Sequence, residues 1–412
     1  MLSQQRVGAR AIGGREENDR IQFRVLGALS ASHCVNDMMQ SLLLSIYPLL
    51  KGEFTLTFAQ LGLITLTYQL TASLLQPLIG FYTDRNAKPF AATIGLGFTL
   101  VGLLILAFTH RYEGVLAAAA LVGSGSSVFH PETSRIARLA SGGSHGLAQS
   151  IFQIGGNSGS AIGPLIAAFV ILPHGRWTIA LVALITLAAM FLMFRVALWY
   201  RRLHLGEGAQ RRHSHSQHAL LPRRAVIGAM VVLLVLVFSK YFYLASLTSY
   251  YTFYLMDRFH LTPQSAQLYL FVFLFASAAG TLLGGPIGDR VGRKAVIWAS
   301  ILGVAPFTLA LPFVNLPWTC VLTFVIGFVL SSAFSAIVVF AQELAPGRVG
   351  LVAGLFFGLA FGFGGLGAAV LGGLADHYSI ETVYRLCAYL PLLGIVTVLL
   401  PDIRRGRNDR GP

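Results

Sequence analysis

The chain has little charge. Only 11% of its 412 residues are Asp, Glu, Lys or Arg and 55% are apolar, whereas soluble globular domains carry about 25% charged residues. Such a chain cannot cover a water-facing surface, so the composition excludes a soluble protein and indicates an integral membrane protein. A membrane β-barrel is excluded as well, because the apolar residues form long continuous runs, not alternating segments of ~10 residues. We therefore expect an all-α fold.

Cysteine and catalytic motifs are equally scarce. The three cysteines, Cys34, Cys320 and Cys387, have no spacing typical of a metal site or a disulfide framework. The histidines of the central "HSHSQH" segment could bind a metal, but such loops are more often simply solvated, and we expect no metal and no cofactor. No H-E-x-x-H motif and no phosphate-binding loop is present. We therefore do not expect an intramembrane hydrolase, and an ion gradient must supply the energy.

Twelve apolar runs are long enough to cross a bilayer, which takes about 20 helical residues. Their predicted bounds are Val25–Leu50, Phe58–Tyr82, Ala91–Thr109, Val115–Leu139, Leu147–Leu172, Thr178–Tyr200, Ala225–Met256, Ser265–Gly288, Ala295–Phe313, Trp318–Leu344, Val349–Ala375 and Thr382–Leu400. The predicted organisation is a tail over 1–24, a six-helix bundle over 25–200, a basic linker over 201–224, a second bundle over 225–400 and a tail over 401–412.

The net charge of +14 is placed on alternate loops. The basic loops carry Arg85, Lys88, Arg135, Arg138, Arg201, Arg202, Arg223, Arg224, Arg290, Arg293 and Lys294. The loops between them carry only Lys51, Arg111, Arg176 and Arg258. Because cytoplasmic loops hold the excess of Lys and Arg, both termini are predicted to be cytoplasmic. This distribution explains the basic charge without nucleic acid as a partner.

The two predicted halves repeat each other. "GFYTDRNAK" follows the second span and "GPIGDRVGRK" follows the eighth, while "SVFHPE" in the fourth span corresponds to "VVFAQE" in the tenth. "GLAQSIFQIGGNSGSAIGP" and "GLVAGLFFGLAFGFGGLGA" open the fifth and eleventh spans. Parallel repeats of six spans, related by an axis along the membrane normal, are typical of one transporter architecture.

These repeated motifs resemble those of the major facilitator superfamily over nearly the whole chain. The loop-motif residues that match are Gly80, Asp84 and Arg85 in the first half and Gly285, Asp289, Arg290 and Arg293 in the second. The resemblance implies two pseudo-symmetric bundles and alternating access around a cavity at the membrane midplane. The acidic and basic residues at these helix ends suit a charge lock that holds one conformation.

The fifth span carries a second motif, Gly159, Gly163 and Pro164, that is similar to one of drug/proton antiporters in this superfamily. A third motif is incomplete, since Ala119 stands where the family has an arginine. "NDMMQSLLLSIYPLL" and "SSVFHPE" resemble one group of bacterial drug exporters. The resemblance implies a monomer in the bacterial cytoplasmic membrane that exports small-molecule drugs against inward proton flow. An uptake permease for a small organic anion is the alternative.

The first span contains a polar stripe of His33, Asn36, Asp37 and Gln40, spaced three and four residues apart. Asp37 lies about 18 Å beyond the start of the span, near the bilayer midplane. An ionised carboxylate costs at least ~2.5 kcal/mol there, so it must face protein or a water-filled cavity. We predict that Asp37 carries a proton. A purely structural hydrogen-bonding role is the alternative.

The fourth span contributes a second ionisable group, His130, Glu132 and Arg135. One interpretation makes His130 and Glu132 a proton relay between Asp37 and the cytoplasm, with Arg135 exchanging partners. The other is that Glu132 and Arg135, three residues apart on one helix, only neutralise each other.

Lys240 is the only lysine deep inside a predicted span. With Tyr243 and Tyr250 on nearby faces, it predicts a pocket for an anionic or amphipathic molecule. Alternatively, Lys240 pairs with Asp37 in the resting protein. Further polar side chains that could line the same cavity, or form hydrogen bonds between helices, are Asn36, Gln40, Gln153 and Asn157.

The predicted orientation of the chain in the membrane can be tested at Ser214, in the predicted linker. A cysteine at Ser214 should resist a membrane-impermeant maleimide in intact cells and react once the cells are permeabilised, because the linker is predicted to be cytoplasmic. Equal labelling rates in the two preparations would contradict the predicted orientation.

Overall fold

The computed structural model describes residues 21–85, 88–142, 145–206, 222–345 and 349–401, and their regular structure is entirely helical. The predicted all-α fold is therefore confirmed. The main helices are α1 Phe23–Ser45, α2 Phe58–Arg85, α3 Ala91–Phe108, α4 Tyr112–Leu139, α5 His145–Ile166, α6 Ile185–Gly206, α7 Arg223–Phe259, α8 Pro263–Val291, α9 Arg293–Ile301, α10 Leu316–Ser331, α11 Val349–His377 and α12 Ile380–Cys387.

Shorter segments extend several of these helices at sites of local distortion. They are Tyr47–Phe54 after α1, a π-helical turn Ala167–Ile171 and the turn Leu172–His174 after α5, Thr178–Ala183 before α6, Ala305–Ala310 and the 3₁₀ turn Leu311–Phe313 after α9, Ala333–Leu344 after α10, and the 3₁₀ segment Leu390–Leu399 after α12. The π-helical turn begins three residues after Pro164, which lacks the backbone N–H that a regular α-helix needs.

Eleven helices in the described part of the chain are long and apolar enough to cross a membrane. The exception among the twelve predicted spans is α1. Its 23 residues span about 34 Å, which is sufficient to cross, but its buried face includes His33, Asn36 and Gln40. The one predicted span that is not among these apolar helices is thus the one that holds the predicted proton carrier.

The helices form two pseudo-symmetric bundles, α1–α6 and α7–α12. Within the first bundle α1 packs along α5 and α2 along α4, while the bundles meet where α2 packs along α11 and α5 against α8. In the repeat, α2 corresponds to α8 and α5 corresponds to α11. The α2–α11 contact is therefore equivalent to the α8–α5 contact, as expected for parallel repeats. Large apolar side chains such as Leu74 and Phe169 remain exposed on the outer surface, where a bilayer can cover them.

Glycines let α5 approach α1 closely. A Cβ atom at Gly159 would lie 2.0 Å from the backbone oxygen of Cys34, and one at Gly163 would lie 2.6 Å from Ser41 Oγ. Neither separation is possible for real atoms, so both positions require glycine. Ser41 uses the close approach to donate a 2.6 Å hydrogen bond to the backbone oxygen of Ser160. The residues predicted from the antiporter motif therefore form the contact surface of α5 with α1.

A set of hydrogen bonds, which we call the outer latch, joins the two bundles at one end. The Asp376 carboxylate, near the end of α11, accepts from the backbone N–H of Phe58 at 2.8 Å and of Ala59 at 2.7 Å. These N–H groups belong to the first two residues of α2, so they have no hydrogen-bond partner within the helix. Tyr250 Oη of α7 lies 3.3 Å from the Phe58 oxygen and 2.6 Å from the Ala368 oxygen.

Two further hydrogen bonds between described residues join the bundles on the same side as the outer latch. Besides the latch, Gln267 donates to the Ser45 backbone oxygen at 2.6 Å, and the hydroxyls of Thr65 and Ser249 lie 3.5 Å apart. The charge pattern assigns this end to the outside. The described contacts are thus those of a conformation closed at its predicted outer end.

The opposite end of the molecule holds the loop motifs. Arg293 forms an ion pair with Glu343, the counterpart of Glu132 in the second half, and Lys294 donates to the Leu400 backbone oxygen. Both contacts lie within one bundle. The side chains of the other predicted lock residues, Gly80, Asp84, Arg85, Gly285 and Asp289, lie outside the described part of the structure, as do linker residues 207–221 with "HSHSQH". The charge lock therefore stays a prediction.

Replacement of Asp376 tests the outer latch. Loss of an N-cap costs about 1 kcal/mol, which changes a two-state ratio about fivefold, so Asp376→Ala should open the outer end correspondingly more often. The readout is the rate at which an impermeant maleimide labels, in intact cells, a cysteine at Ser249, which is buried between the bundles. Asp257→Ala is the control, since Asp257 is exposed at the end of α7. Equal rates in both variants would contradict a latch.

Candidate functional site: a buried histidine–aspartate–histidine cluster

Two helices of the first bundle bring together the side chains that we call the central cluster, His33, Asp37 and His130. On α1, His33 and Asp37 are one turn apart, and His33 Nε2 lies 3.2 Å from Asp37 Oδ2. From α4, His130 Nε2 lies 3.3 Å from Asp37 Oδ1. The two histidine Nε2 atoms are themselves 3.2 Å apart.

The hydrogen bonds of the two Nδ1 atoms determine which ring nitrogens of the cluster carry hydrogen. His33 Nδ1 lies 2.8 Å from the Phe152 backbone oxygen, and His130 Nδ1 lies 3.0 Å from the Ser126 backbone oxygen. A carbonyl oxygen only accepts, so each Nδ1 carries the hydrogen of the neutral ring. Two Nε2 lone pairs then face the two oxygens of Asp37. Four acceptor atoms at these distances repel one another unless one or more protons lie between them.

Helix α5 closes one side of the central cluster. The His33 ring stacks on Phe152 with ring centroids 4.0 Å apart. A Cβ atom at Gly156 would lie 2.4 Å from His33 Nε2 and 2.7 Å from Asp37 Oδ2, so glycine is required there too. The side chain of His33 is 3% exposed, that of Asp37 19% and that of His130 23%, so the cluster is accessible through Asp37 and His130.

Asn36 and Gln40, predicted to line the substrate cavity, are hydrogen-bonded to Asp37. Asn36 Nδ2 donates to Asp37 Oδ1 at 3.1 Å, and Gln40 Nε2 donates to the same oxygen at 3.4 Å. Gln40 Oε1 in turn accepts from Tyr68 Oη of α2 and from Ser126 Oγ at 3.3 Å. Both amides are buried, so here they orient the carboxylate.

The central cluster is also the set of described side chains that could hold a metal ion, because its three ligand atoms lie within 4.8 Å of one another. The "HSHSQH" segment, whose histidines could bind a metal but are more often solvated in such loops, lies outside the described residues. Each pair of these three side chains lies at a hydrogen-bond distance, 3.2 or 3.3 Å. Such distances are suitable for protons shared between the groups.

Glu132 on α4, the second acid predicted to take part in proton coupling, forms an ion pair outside the central cluster. Arg135 Nη2 donates to Glu132 Oε1 at 2.6 Å, and Glu132 is fully buried. The guanidinium of Arg135 also lies over the Tyr200 ring, 5.5 Å from its centroid. Neutralisation of Glu132 by Arg135, one of the two interpretations of this pair, is present in the structure, while the relay through His130 and Glu132 stays a prediction.

Lys240 lies in the second bundle without an acidic partner. It is 3% exposed, and no carboxylate in the described part of the chain forms an ion pair with it. Its Nζ lies 5.4 Å from the ring centroids of both Tyr241 and Phe334. The alternative that pairs Lys240 with Asp37 is therefore wrong for this conformation, because Asp37 has histidine partners and Lys240 has aromatic ones.

The predicted tyrosines of α7 lie elsewhere. Tyr243 is 2% exposed within the core of the second bundle, and its hydroxyl has no hydrogen-bond partner among the described groups. Tyr250 belongs to the outer latch and is about 15 Å along α7 from Lys240. The side chains that flank Lys240 are Tyr241 and Phe334, which the sequence pattern did not single out because cation–π contacts depend on how helices pack.

On α5, the predicted cavity residues Gln153 and Asn157 are partly exposed. Asn157 Nδ2 is buried and has no hydrogen-bond partner among the described groups, which leaves a donor available. Sequence reasoning missed Tyr68 and Phe152. Neither side chain has a charge, and although Phe152 lies in the repeated stretch "GLAQSIFQIGGNSGSAIGP", nothing in that repeat distinguishes it from its apolar neighbours.

Comparison with known proteins identifies the family. The sequence model of the Major Facilitator Superfamily matches residues 29–262 and 233–411. The "Fosmidomycin resistance protein" of Escherichia coli strain K12 is 60% identical over 386 residues, which cover 93% of this chain and 94% of that protein. The uncharacterized MFS-type transporter YfnC of Bacillus subtilis strain 168 is 40% identical over 389 residues, 94% of this chain and 95% of that one.

Solved structures agree on the fold. A bacterial homologue of the human lysosomal transporter Spinster, in an inward-facing and occupied conformation, matches with a TM-score of 0.70 at 14% identity, over 92% of this chain and 94% of that one. The sequence model and the 60% identical relative each cover most of the chain. The chain therefore belongs to the Major Facilitator Superfamily.

Proposed function

We propose that this protein exports small-molecule drugs, among them fosmidomycin-like anionic or amphipathic compounds, in exchange for protons that enter the cell. The observation that carries the proposal is the convergence of four acceptor atoms in the central cluster, a geometry that requires protons. The substrate class is supported by 60% identity to a fosmidomycin resistance protein over almost the whole of both chains. The protein works in the bacterial cytoplasmic membrane with both termini inside.

The central cluster can store a variable number of protons. One proton between Asp37 and either histidine relieves part of the repulsion, and a second gives each carboxylate oxygen its own donor. Because Asp37 is partly exposed to the cavity, these protons can exchange with water. A site that gains and loses protons within a low-dielectric region is what coupling to a proton gradient needs.

Lys240 supplies the counter-ion for the drug. A buried ammonium group with only aromatic neighbours is costly unless an anion neutralises it, and the rings of Tyr241 and Phe334 can contact the apolar part of such a molecule. Lys240 and Asp37 do not pair in this conformation, so coupling between the two sites does not require a contact between them. The two sites respond instead to the same movement of the bundles between inward-open and outward-open forms.

Asp37→Asn tests the proton site. It should abolish efflux driven by a pH gradient in everted vesicles, because the amide cannot take a proton, while fosmidomycin binding in detergent persists. Drug-induced proton release from the purified protein at weakly buffered pH should vanish too. Asp257→Asn, at an exposed carboxylate, is the control. Undiminished proton release in Asp37→Asn would contradict the proposal and transfer the role to Glu132 or His130.

Lys240→Gln tests the substrate site. A hydrogen bond to a charged group contributes about 1.5–3 kcal/mol, so the affinity for an anionic drug should fall roughly tenfold to a hundredfold. A neutral drug should bind almost unchanged. Lys51→Gln is the control, since that ammonium donates to the Leu56 backbone oxygen at 2.6 Å, far from the cavity. Equal losses for anionic and neutral drugs would make Lys240 purely structural.

A further inference from the structure

We infer that Gln40 and Tyr68 transmit the proton load of the central cluster to α2, the helix that carries half of the outer latch. This inference rests on the proposed proton site and adds two residues that position helices without contacting the substrate. The hydrogen bonds run from Tyr68 Oη to Gln40 Oε1 and from Gln40 Nε2 to Asp37 Oδ1. They connect α2 to the central cluster through one side-chain amide.

The amide of Gln40 has opposite polarity at its two ends, so its orientation depends on the charge of Asp37. An ionised carboxylate only accepts, which points the NH₂ group toward Asp37 and the oxygen toward the hydroxyls of Tyr68 and Ser126. When a proton binds between Asp37 and a histidine, it neutralises the charge of the carboxylate, and the NH₂ group of Gln40 loses its anionic partner. The hydrogen bonds to the two hydroxyls then lose their fixed orientation.

Few other groups can give this pH response. The titratable groups that face Asp37 are His33 and the thiol of Cys34 on its own helix, His130 from α4 and the phenol of Tyr68 from α2. From helix α5, the described contacts with the cluster are made by Phe152 and Gly156, and neither residue titrates. The charge on the cluster is therefore set by Asp37 and its two histidines, and Gln40 is the amide that joins this charge to α2.

Helix α2 connects Tyr68 to the contact between the bundles. The neighbouring Gln69 lies against α11, where a Cβ atom at Gly364 would be 2.9 Å from Gln69 Oε1. Fewer than three turns earlier on α2, the N–H groups of Phe58 and Ala59 bind Asp376 in the outer latch. The hydrogen bonds that connect Asp37 to Tyr68 through Gln40 thus belong to the latched conformation. Proton binding to the cluster, which weakens them, should favour opening of the latch.

Distance measurements between spin labels test this link. Labels on cysteines at Gly52 and Tyr378, in a background with Cys34, Cys320 and Cys387 replaced by alanine, report the separation of the bundles at the outer end. Between about pH 8 and pH 5, where histidine changes its charge, the unmodified sequence should gain a population with a longer distance. Tyr68→Phe, which keeps the buried ring, should lose this response while fosmidomycin affinity and drug-induced proton release remain.

Tyr112→Phe is the matched control, because the Tyr112 hydroxyl also binds α2, at the Gln60 backbone oxygen 2.9 Å away, but lies outside the cluster network. It should keep the pH response. A normal response in Tyr68→Phe overturns the link, provided that Asp37→Asn abolishes it. A response that survives in Asp37→Asn instead overturns the proton site itself. Gln40→Leu repeats the test without a change in Tyr68, and a normal response there also overturns the link.

Discussion

The mutual repulsion of acceptor atoms around Asp37 is the constraint on which the rest of this account depends. Backbone carbonyls hold the Nδ1 hydrogens of His33 and His130, so both Nε2 lone pairs must face the carboxylate. Only cations of small size can occupy the space between them. The arrangement requires α1, α4 and α5 to approach closely, and Gly156 permits it because any side chain there would overlap His33 and Asp37.

The bundles are joined by contacts that can break without unfolding either one. Asp376 satisfies two N–H groups that any helix start leaves free, and water can replace it when the bundles part. Each hydrogen bond described between the bundles has a backbone group on one side or joins two hydroxyls, and its one charged side chain, Asp376, is exposed. Separation of the bundles therefore leaves no uncompensated charge buried in the membrane. A modest difference in proton or drug affinity between two conformations, about 1–3 kcal/mol, is then enough to shift their populations.

The sequence predicted the fold closely because apolar runs, loop charges and repeated motifs are local signals. It also predicted His33 and Asp37 as neighbours, since residues four apart share one helical face. It could not decide between His130 and Lys240 as the partner of Asp37, because that choice depends on how helices distant in sequence rotate against one another. Tyr68 was missed for the same reason: an uncharged tyrosine in an apolar span carries no local sign of its contact with Gln40.

The protonation states of His33 and His130 can be measured in the intact protein. Nitrogen-15 NMR of protein labelled at histidine distinguishes neutral rings from imidazolium, and His33→Gln and His130→Gln assign the two signals. The account predicts that at low pH, without drug, at least one of these rings carries protons on both nitrogens, and that fosmidomycin returns it to the neutral Nδ1–H form as protons leave. Two rings that stay neutral under all conditions, with or without drug, would contradict it.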